Sequence, residues 1–128
     1  MTPIENVVYE RNFDSHSNET RTIVSVLKIA SESQVPINQV RVAQVKKDSP
    51  MGNHWREYGE IYGIIGSAEF LLEEIDTKIR KKYFMKTGDT LYIPPRIAIN
   101  VKAVPNAVII CCSENYDGEK GTHKYELV

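Results

Sequence analysis

From residue 22 onward the chain is a series of short runs rich in β-branched and aromatic residues, each closed by turn formers. The runs are TIVSVLKIA from 22, QVRVAQV from 39, EIYGIIG from 60, AEFLLEEI from 68, KIRKKYFM from 78, TLYI from 90, IAINVKA from 97 and AVIICC from 107. Each has the length of a strand. Between them stand Pro36-Ile37-Asn38, Asp48-Ser49-Pro50-Met51-Gly52, Gly66-Ser67, Asp76-Thr77, Thr87-Gly88-Asp89, Pro94-Pro95 and Pro105-Asn106. No segment keeps the apolar 3.6-residue period of an amphipathic helix. The pattern predicts an all-β sandwich or barrel over residues 22–128. Residues 1–21 lack a clear period and are set apart as an N-terminal segment, with HSNET at 16–20 as a turn or loop.

A chain of 128 residues, 41% apolar and 26% charged, can bury the core of one domain without disulfides or metals. The formal net charge of -1 gives no positive field to attract a nucleic acid. No apolar run approaches the roughly 18 residues that cross a bilayer, and MTPIENVVYERNFD carries acids where a signal peptide carries bases. A cytoplasmic protein without nucleic-acid or membrane partners is expected. Cys111 and Cys112 are adjacent in an apolar run, so on a strand they point to opposite faces and are expected as reduced packing residues.

In AEFLLEEIDTKIRKKYFM, Ala68, Phe70 and Leu72 share a face. The acids Glu73, Glu74 and Asp76 precede the bases Lys78, Arg80, Lys81 and Lys82, as a solvated hairpin with cross-strand charge pairing requires.

Two stretches carry candidate chemistry. In GNHWREYGEIYGIIG, residues 52–66, His54 and Arg56 lie two apart and share a strand face. Glu60 joins them if the chain turns at Tyr58-Gly59. The stretch resembles the first cupin motif, G-x5-H-x-H-x3-4-E-x6-G, with arginine at the second histidine position and a shorter run before the first. GDTLYIPPRIAINV, from residue 88, resembles the second motif, G-x5-P-x-G-x2-H-x3-N. Gly88 and Pro94 match, Arg96 replaces the glycine, and Ile99 replaces the last histidine ligand. GNHWR also resembles the GNHWH of the cupin domain in capsular-polysaccharide assembly reductases, and SENYDGEKGTHKYELV resembles that domain's ending. More broadly the chain is similar to the sugar-nucleotide ketoisomerases and epimerases of the superfamily. The resemblance implies a single-domain cupin-type, RmlC-like double-stranded β-helix, a nucleotide-sugar ligand and a homodimer, which would also cover edge strands.

The substitutions change the chemistry. A cupin metal site uses three imidazoles and a carboxylate, and here only the vestigial positions His54 and Glu60 remain. Arg56 keeps its proton and has no lone pair, and Ile99 has no donor, so no tightly held metal or other cofactor is expected. Arg56 either pairs with Glu60 as a plug in the barrel or binds an oxyanion or phosphate of a ligand. His54 is the candidate general base, and Tyr62 and Tyr92 are candidate proton donors or stacking surfaces, against the alternative of plain core packing. Arg96 is a candidate phosphate contact, against the alternative of a solvated arginine. His16 and His123 lie outside both motifs.

The expected function is binding, with isomerisation or epimerisation, of a keto-sugar nucleotide in polysaccharide biosynthesis: His54 as base, Arg56 on the enediolate oxygen, Glu60 orienting either. The competing expectation is a non-catalytic ligand-binding or assembly module with a degenerate metal site.

Overall fold

The computed structural model describes residues 4, 6–11, 16–23, 25, 36–47, 50–114 and 120–128. These hold twelve strands and no helix: Val8–Glu10 (β1), His16–Ser17 (β2), Thr22–Ile23 (β3), Gln39–Gln44 (β4), Met51–Arg56 (β5), Glu60–Ile65 (β6), Ser67–Glu74 (β7), Arg80–Lys86 (β8), Thr90–Ile93 (β9), Ile97–Ala103 (β10), Val108–Ser113 (β11) and Thr122–Lys124 (β12). Two five-stranded antiparallel sheets, in the orders β1-β9-β6-β11-β4 and β12-β5-β10-β7-β8, face each other, and β2 and β3 pair separately. The all-β jelly roll expected from the sequence is the observed architecture. Part of the segment set apart at 1–21 belongs to it: β1 pairs with β9, and Ile4 is buried in the core. Of the run from 22, Val24 and residues 26–30 lie outside the described residues.

Strand alternation sends one row of side chains from each sheet into the shared core. Phe70 and Leu72 from β7, Met85 from β8, Leu91 from β9 and Ile64 from β6 are almost fully buried there. The Tyr62 ring meets Phe70 edge-on at 5.2 Å between centroids. Close packing makes the loss of even one methyl felt. Ile64→Val is expected to cost about 0.5–1.5 kcal/mol in urea unfolding, with an unchanged denaturant slope.

The hairpin of β7 and β8 forms as expected, with Glu73 opposite Arg80 and ion pairs Arg80–Glu73 at 3.0 Å and Lys82–Glu69 at 3.3 Å. Asp76 departs from the expected pattern. It receives two hydrogen bonds from Arg96, at 2.9 and 2.6 Å, instead of facing a hairpin base.

On the outer face of the second sheet, Trp55, Leu71, Ala98, Tyr125 and Leu127 form a separate apolar cluster covered by the C-terminal residues. Asn53 pins that tail. Its φ of 56°, a left-handed value asparagine tolerates, lets its carbonyl accept from the Tyr125 N–H at 2.9 Å. Its Oδ1 accepts from the Asn100 amide and the Leu127 N–H at 3.1 and 3.2 Å. Gly52, with φ of 107°, lets β5 press on β10: a Cβ there would sit 2.5 Å from the Ile99 carbonyl oxygen. That close approach sets Ile99 directly opposite His54.

Candidate active site

Five elements enclose one cavity of about 190 Å³: β4 contributes Arg41 and Ala43, β5 contributes Met51, Gly52, His54 and Arg56, β6 contributes Glu60 and Tyr62, β10 contributes Ile99 and Val101, and β11 contributes Ile109 and Cys111. His54, Arg56, Glu60, Tyr62 and Ile99 therefore converge, as their strand parity predicts. The break between β5 and β6 that lets Glu60 join falls at residues 57–59, where the Gly59 N–H donates to Glu114 Oε1 at 2.7 Å.

The polar side chains form one connected set. Arg56 Nε donates to His54 Nε2 at 3.1 Å and lies 3.4 Å from Glu60 Oε1, while Arg56 Nη1 donates to the Tyr58 hydroxyl at 2.7 Å. Glu60 is held from both sides: the Tyr62 hydroxyl donates to Oε1 and the Cys111 thiol to Oε2, each at 3.1 Å. Glu60 is only 3% exposed, so an ionised carboxylate there depends on those donors and on the guanidinium.

The protonation states follow from these neighbours. Burial, and then the Arg56 charge, push the His54 pKa below its ordinary value, against a smaller opposite effect of Glu60. The ring also hydrogen-bonds the Gly52 backbone, so the neutral tautomer gives its proton to that carbonyl and leaves Nε2 as the acceptor facing Arg56. For Arg56, burial is the largest single influence and opposes the charge, but Glu60, Tyr62 and Tyr58 together outweigh it and the pKa rises. Burial and the Glu60 charge hold Tyr62 well above the ordinary phenol range and push the Cys111 thiol up, so both keep their protons. The cavity thus offers a neutral imidazole base, a fixed cation and two protonated donors on a carboxylate.

A folded-state pKa below that of the unfolded chain has a signed consequence. As pH falls through the ordinary histidine range near 6.5, the unfolded chain takes up a proton that His54 in the fold resists, and stability is lost. The expected result is a fall in thermal midpoint between pH 7 and pH 5 that becomes shallower in His54→Gln. Equal slopes for both proteins would show that His54 is not held neutral.

This donor set does not fit a divalent metal ion. The guanidinium of Arg56 lies between the imidazole and the carboxylate that would be ligands, and Ile99 fills the fourth position. Among the described residues, no three His, Cys, Asp or Glu side chains are grouped to hold an ion.

Two expected ligand contacts lie elsewhere. Tyr92 is on the opposite face of its sheet from Tyr62, packed with Ile61 and Cys112. Arg96 is outside the barrel, bound to Asp76 and 5.4 Å from the Trp55 ring. His123, without an assigned role in the sequence, stacks on Trp55 at 4.2 Å and lies 3.0 Å from Glu57. Conversely, sequence reasoning missed Arg41 and Cys111. Arg41 lines the cavity from the edge strand β4, braced by Gln39 Oε1 at 3.0 Å, and its charge helps to lower the His54 pKa.

No protein-family model and no curated protein matches the chain. Solved structures do. WlaRA, a TDP-fucose-3,4-ketoisomerase from Campylobacter jejuni, superposes with a TM-score of 0.71 at 18% identity, over 91% of this chain and 87% of that one. A dTDP-4-dehydrorhamnose 3,5-epimerase from Sulfolobus tokodaii gives 0.77 at 13% identity, over 99% and 81%. The sugar 3,4-ketoisomerase QdtA from Thermoanaerobacterium thermosaccharolyticum, in complex with TDP, gives 0.71 at 19% identity, over 94% and 88%. With two antiparallel five-stranded sheets closed on a common core and these superpositions over nearly its whole length, the chain has the RmlC-like cupin jelly-roll fold.

Proposed function

We propose that this protein binds a keto-sugar nucleotide in its barrel cavity and moves a proton next to the ketone, as an isomerase or epimerase that needs no tightly held metal. The observation that carries the reading is the neutral His54 lining the cavity, whose Nε2 lone pair accepts from the fixed charge of Arg56 and is freed when that guanidinium turns to a ligand. In this scheme Nε2 takes the proton from the carbon adjacent to the carbonyl, and the released electron pair forms an enediolate. Arg56 turns from His54 to the developing oxyanion, where a charge-assisted hydrogen bond is stronger than in the free ligand. Glu60 keeps the guanidinium in place, the protonated His54 is the donor for return on its own face, and Tyr62 is the candidate donor from the other face, its proton then replaced by the one His54 took. Return of the proton at the old carbonyl carbon, with the neighbouring hydroxyl proton passing to the old carbonyl oxygen, isomerises the sugar, and return to the opposite face of the first carbon epimerises it.

Solved neighbours support the ligand class: they were captured with TDP, with TDP-4-keto-6-deoxyglucose and with dTDP-4-keto-L-rhamnose. The cavity is the size of a sugar ring rather than a whole nucleotide, so the diphosphate lies toward the rim, where Arg41 stands. Tyr92 and Arg96 face away from this cavity and are not assigned to the ligand. We also read the protein as a cytoplasmic homodimer. Val40 and Val42 on edge strand β4 are 56% and 67% exposed, a surface that a second copy would cover.

The Arg56–Glu60 pair inside the cavity favours one competing reading, a plugged barrel that serves only as a binding or assembly module. A screen of nucleotide sugars by calorimetry separates the two. Wild type is expected to bind, and Arg56→Ala to bind about 1.5–3 kcal/mol more weakly. Unchanged affinity in the folded variant would support the plug, and no binding by wild type would support the module.

A further inference from the structure

Arg56 is the proposed oxyanion donor, and a planar guanidinium serves that role only when its plane is held at the right angle to the reacting atoms. Its two sides have different surroundings. Nε and Nη2 share one edge of the plane: Nε donates to His54 Nε2 at 3.1 Å and lies 3.4 Å from Glu60 Oε1, while Nη2 has no partner among the described residues. Nη1 is the corner remote from that edge, and it donates to the Tyr58 hydroxyl at 2.7 Å. This is the shortest polar contact Arg56 makes.

The place of that hydroxyl is set by the fold. Tyr58 is buried in the three-residue connection between β5 and β6, and the residues on both sides of it are tied to the C-terminal part of the chain. The Glu57 N–H donates to the Gly121 carbonyl at 2.9 Å, and the Gly59 N–H to Glu114 Oε1 at 2.7 Å. The Arg56 carbonyl in turn accepts from the Arg96 N–H at 2.9 Å, so the guanidinium hangs from a fixed backbone as well. Without the Tyr58 anchor one strong partner remains, Glu60, and two parallel N–H bonds are the best geometry of a guanidinium on a carboxylate. Pairing squarely with Glu60 draws the cation off His54.

We propose that Tyr58 is the positioning residue of this site, an assignment that rests on the reading of Arg56 as the oxyanion donor. Its hydroxyl holds Nη1 as a fixed point, so that a small turn of the plane carries Nε from His54 to the ligand oxygen, with Nη2 as the second donor. Tyr58 lies outside the cavity lining, and its effect passes through Arg56. The competing role is purely structural: the hydrogen bond would only offset the cost of burying a guanidinium. In that case Tyr58→Phe lowers stability and leaves both His54 and the chemistry as they were.

The test compares wild type, Tyr58→Phe and Arg56→Met as full chains. An NMR titration of the His54 ring, assigned by its loss in His54→Gln, reads where the cation stands. Burial lowers the His54 pKa most and the Arg56 charge next, and the second influence weakens when the guanidinium moves away. Glu60 and Arg41 also act on that ring and are the same in all three proteins. In Tyr58→Phe, His54 is expected to titrate at a higher pH than in wild type, toward its position in Arg56→Met. Deuterium exchange into saturating TDP-4-keto-6-deoxyglucose should slow about tenfold or more, as for a lost hydrogen bond to a charged group, with little change in KM. A His54 titration like that of wild type, a shift in the opposite direction, or a loss seen only in KM would each overturn the proposal. If the titration moves as expected but wild type exchanges no deuterium, the catalytic reading fails and Tyr58 still positions Arg56.

Discussion

Glu60→Leu is expected to destabilise the protein by about 3–5 kcal/mol at pH 7, the range for removing one member of a buried ion pair. The side chains of Arg56 and Glu60 are only 12% and 4% exposed, so the abandoned guanidinium would stay in a site where little water reaches it. Tyr62 and Cys111 would lose their acceptor at the same time. Most of that cost comes from stranded groups, and it should be recoverable. Adding Arg56→Met removes the uncompensated charge, and the double variant should regain a large part of the lost stability, because apolar pairs of similar volume replace buried ion pairs at little net cost. Urea unfolding of the two single variants and the double variant measures the coupling. Additive losses would show that water already screens the pair and that Glu60 does not set the position of Arg56.

The second large effect is a gain of function. Arg56→His with Ile99→His should create a site for a divalent transition metal. Ile99 lies opposite His54 across β10 and β5, and both positions line the cavity with Glu60. Three imidazoles and a carboxylate form the donor set that binds such ions. Without metal, the double variant should be less stable than wild type, since Glu60 loses its cation. At a free metal concentration a hundredfold above Kd, the fold should gain about 2.7 kcal/mol. Each single variant should gain far less, because Arg56 still opposes the ion or one donor is still absent. Thermal midpoints with and without metal check this, and a double variant indifferent to metal would show that the four positions do not share one coordination sphere.

Much of this was legible in the sequence because strands alternate. Once His54 is placed inward, Arg56 and Gly52 follow on β5, and the motif spacing brings Glu60 and Tyr62 from β6 to the same cavity. At β4 the apolar pattern and the facing of the side chains run opposite ways. In QVRVAQV the valines have the apolar character of a core row, yet Val40 and Val42 face outward and Arg41 and Ala43 line the cavity. An edge strand beside a polar cavity inverts the usual rule, and nothing local to the run records that. AVIICC posed a different difficulty. It is apolar on both faces, so parity alone left open which cysteine faces in. Register answers it: Cys111 lies opposite Tyr62, and Cys112 opposite Ile61 on the outer side. For Arg96 the sequence left a phosphate contact and a solvated arginine both open, because its partner Asp76 is twenty residues away, beyond β8 and β9.

The account rests most heavily on His54 acting as a base in a barrel without metal, and proton exchange reads that step even where net turnover is slow. Wild type, first treated with a chelator, would be incubated in deuterium oxide with TDP-4-keto-6-deoxyglucose, the ligand captured in a solved neighbour. NMR would then follow the carbon-bound hydrogen next to the carbonyl. The account predicts deuterium at that carbon with wild type, and exchange at least about a hundredfold slower with His54→Gln, the scale of a lost general base. No exchange above background by wild type, or equal exchange by His54→Gln, would contradict it.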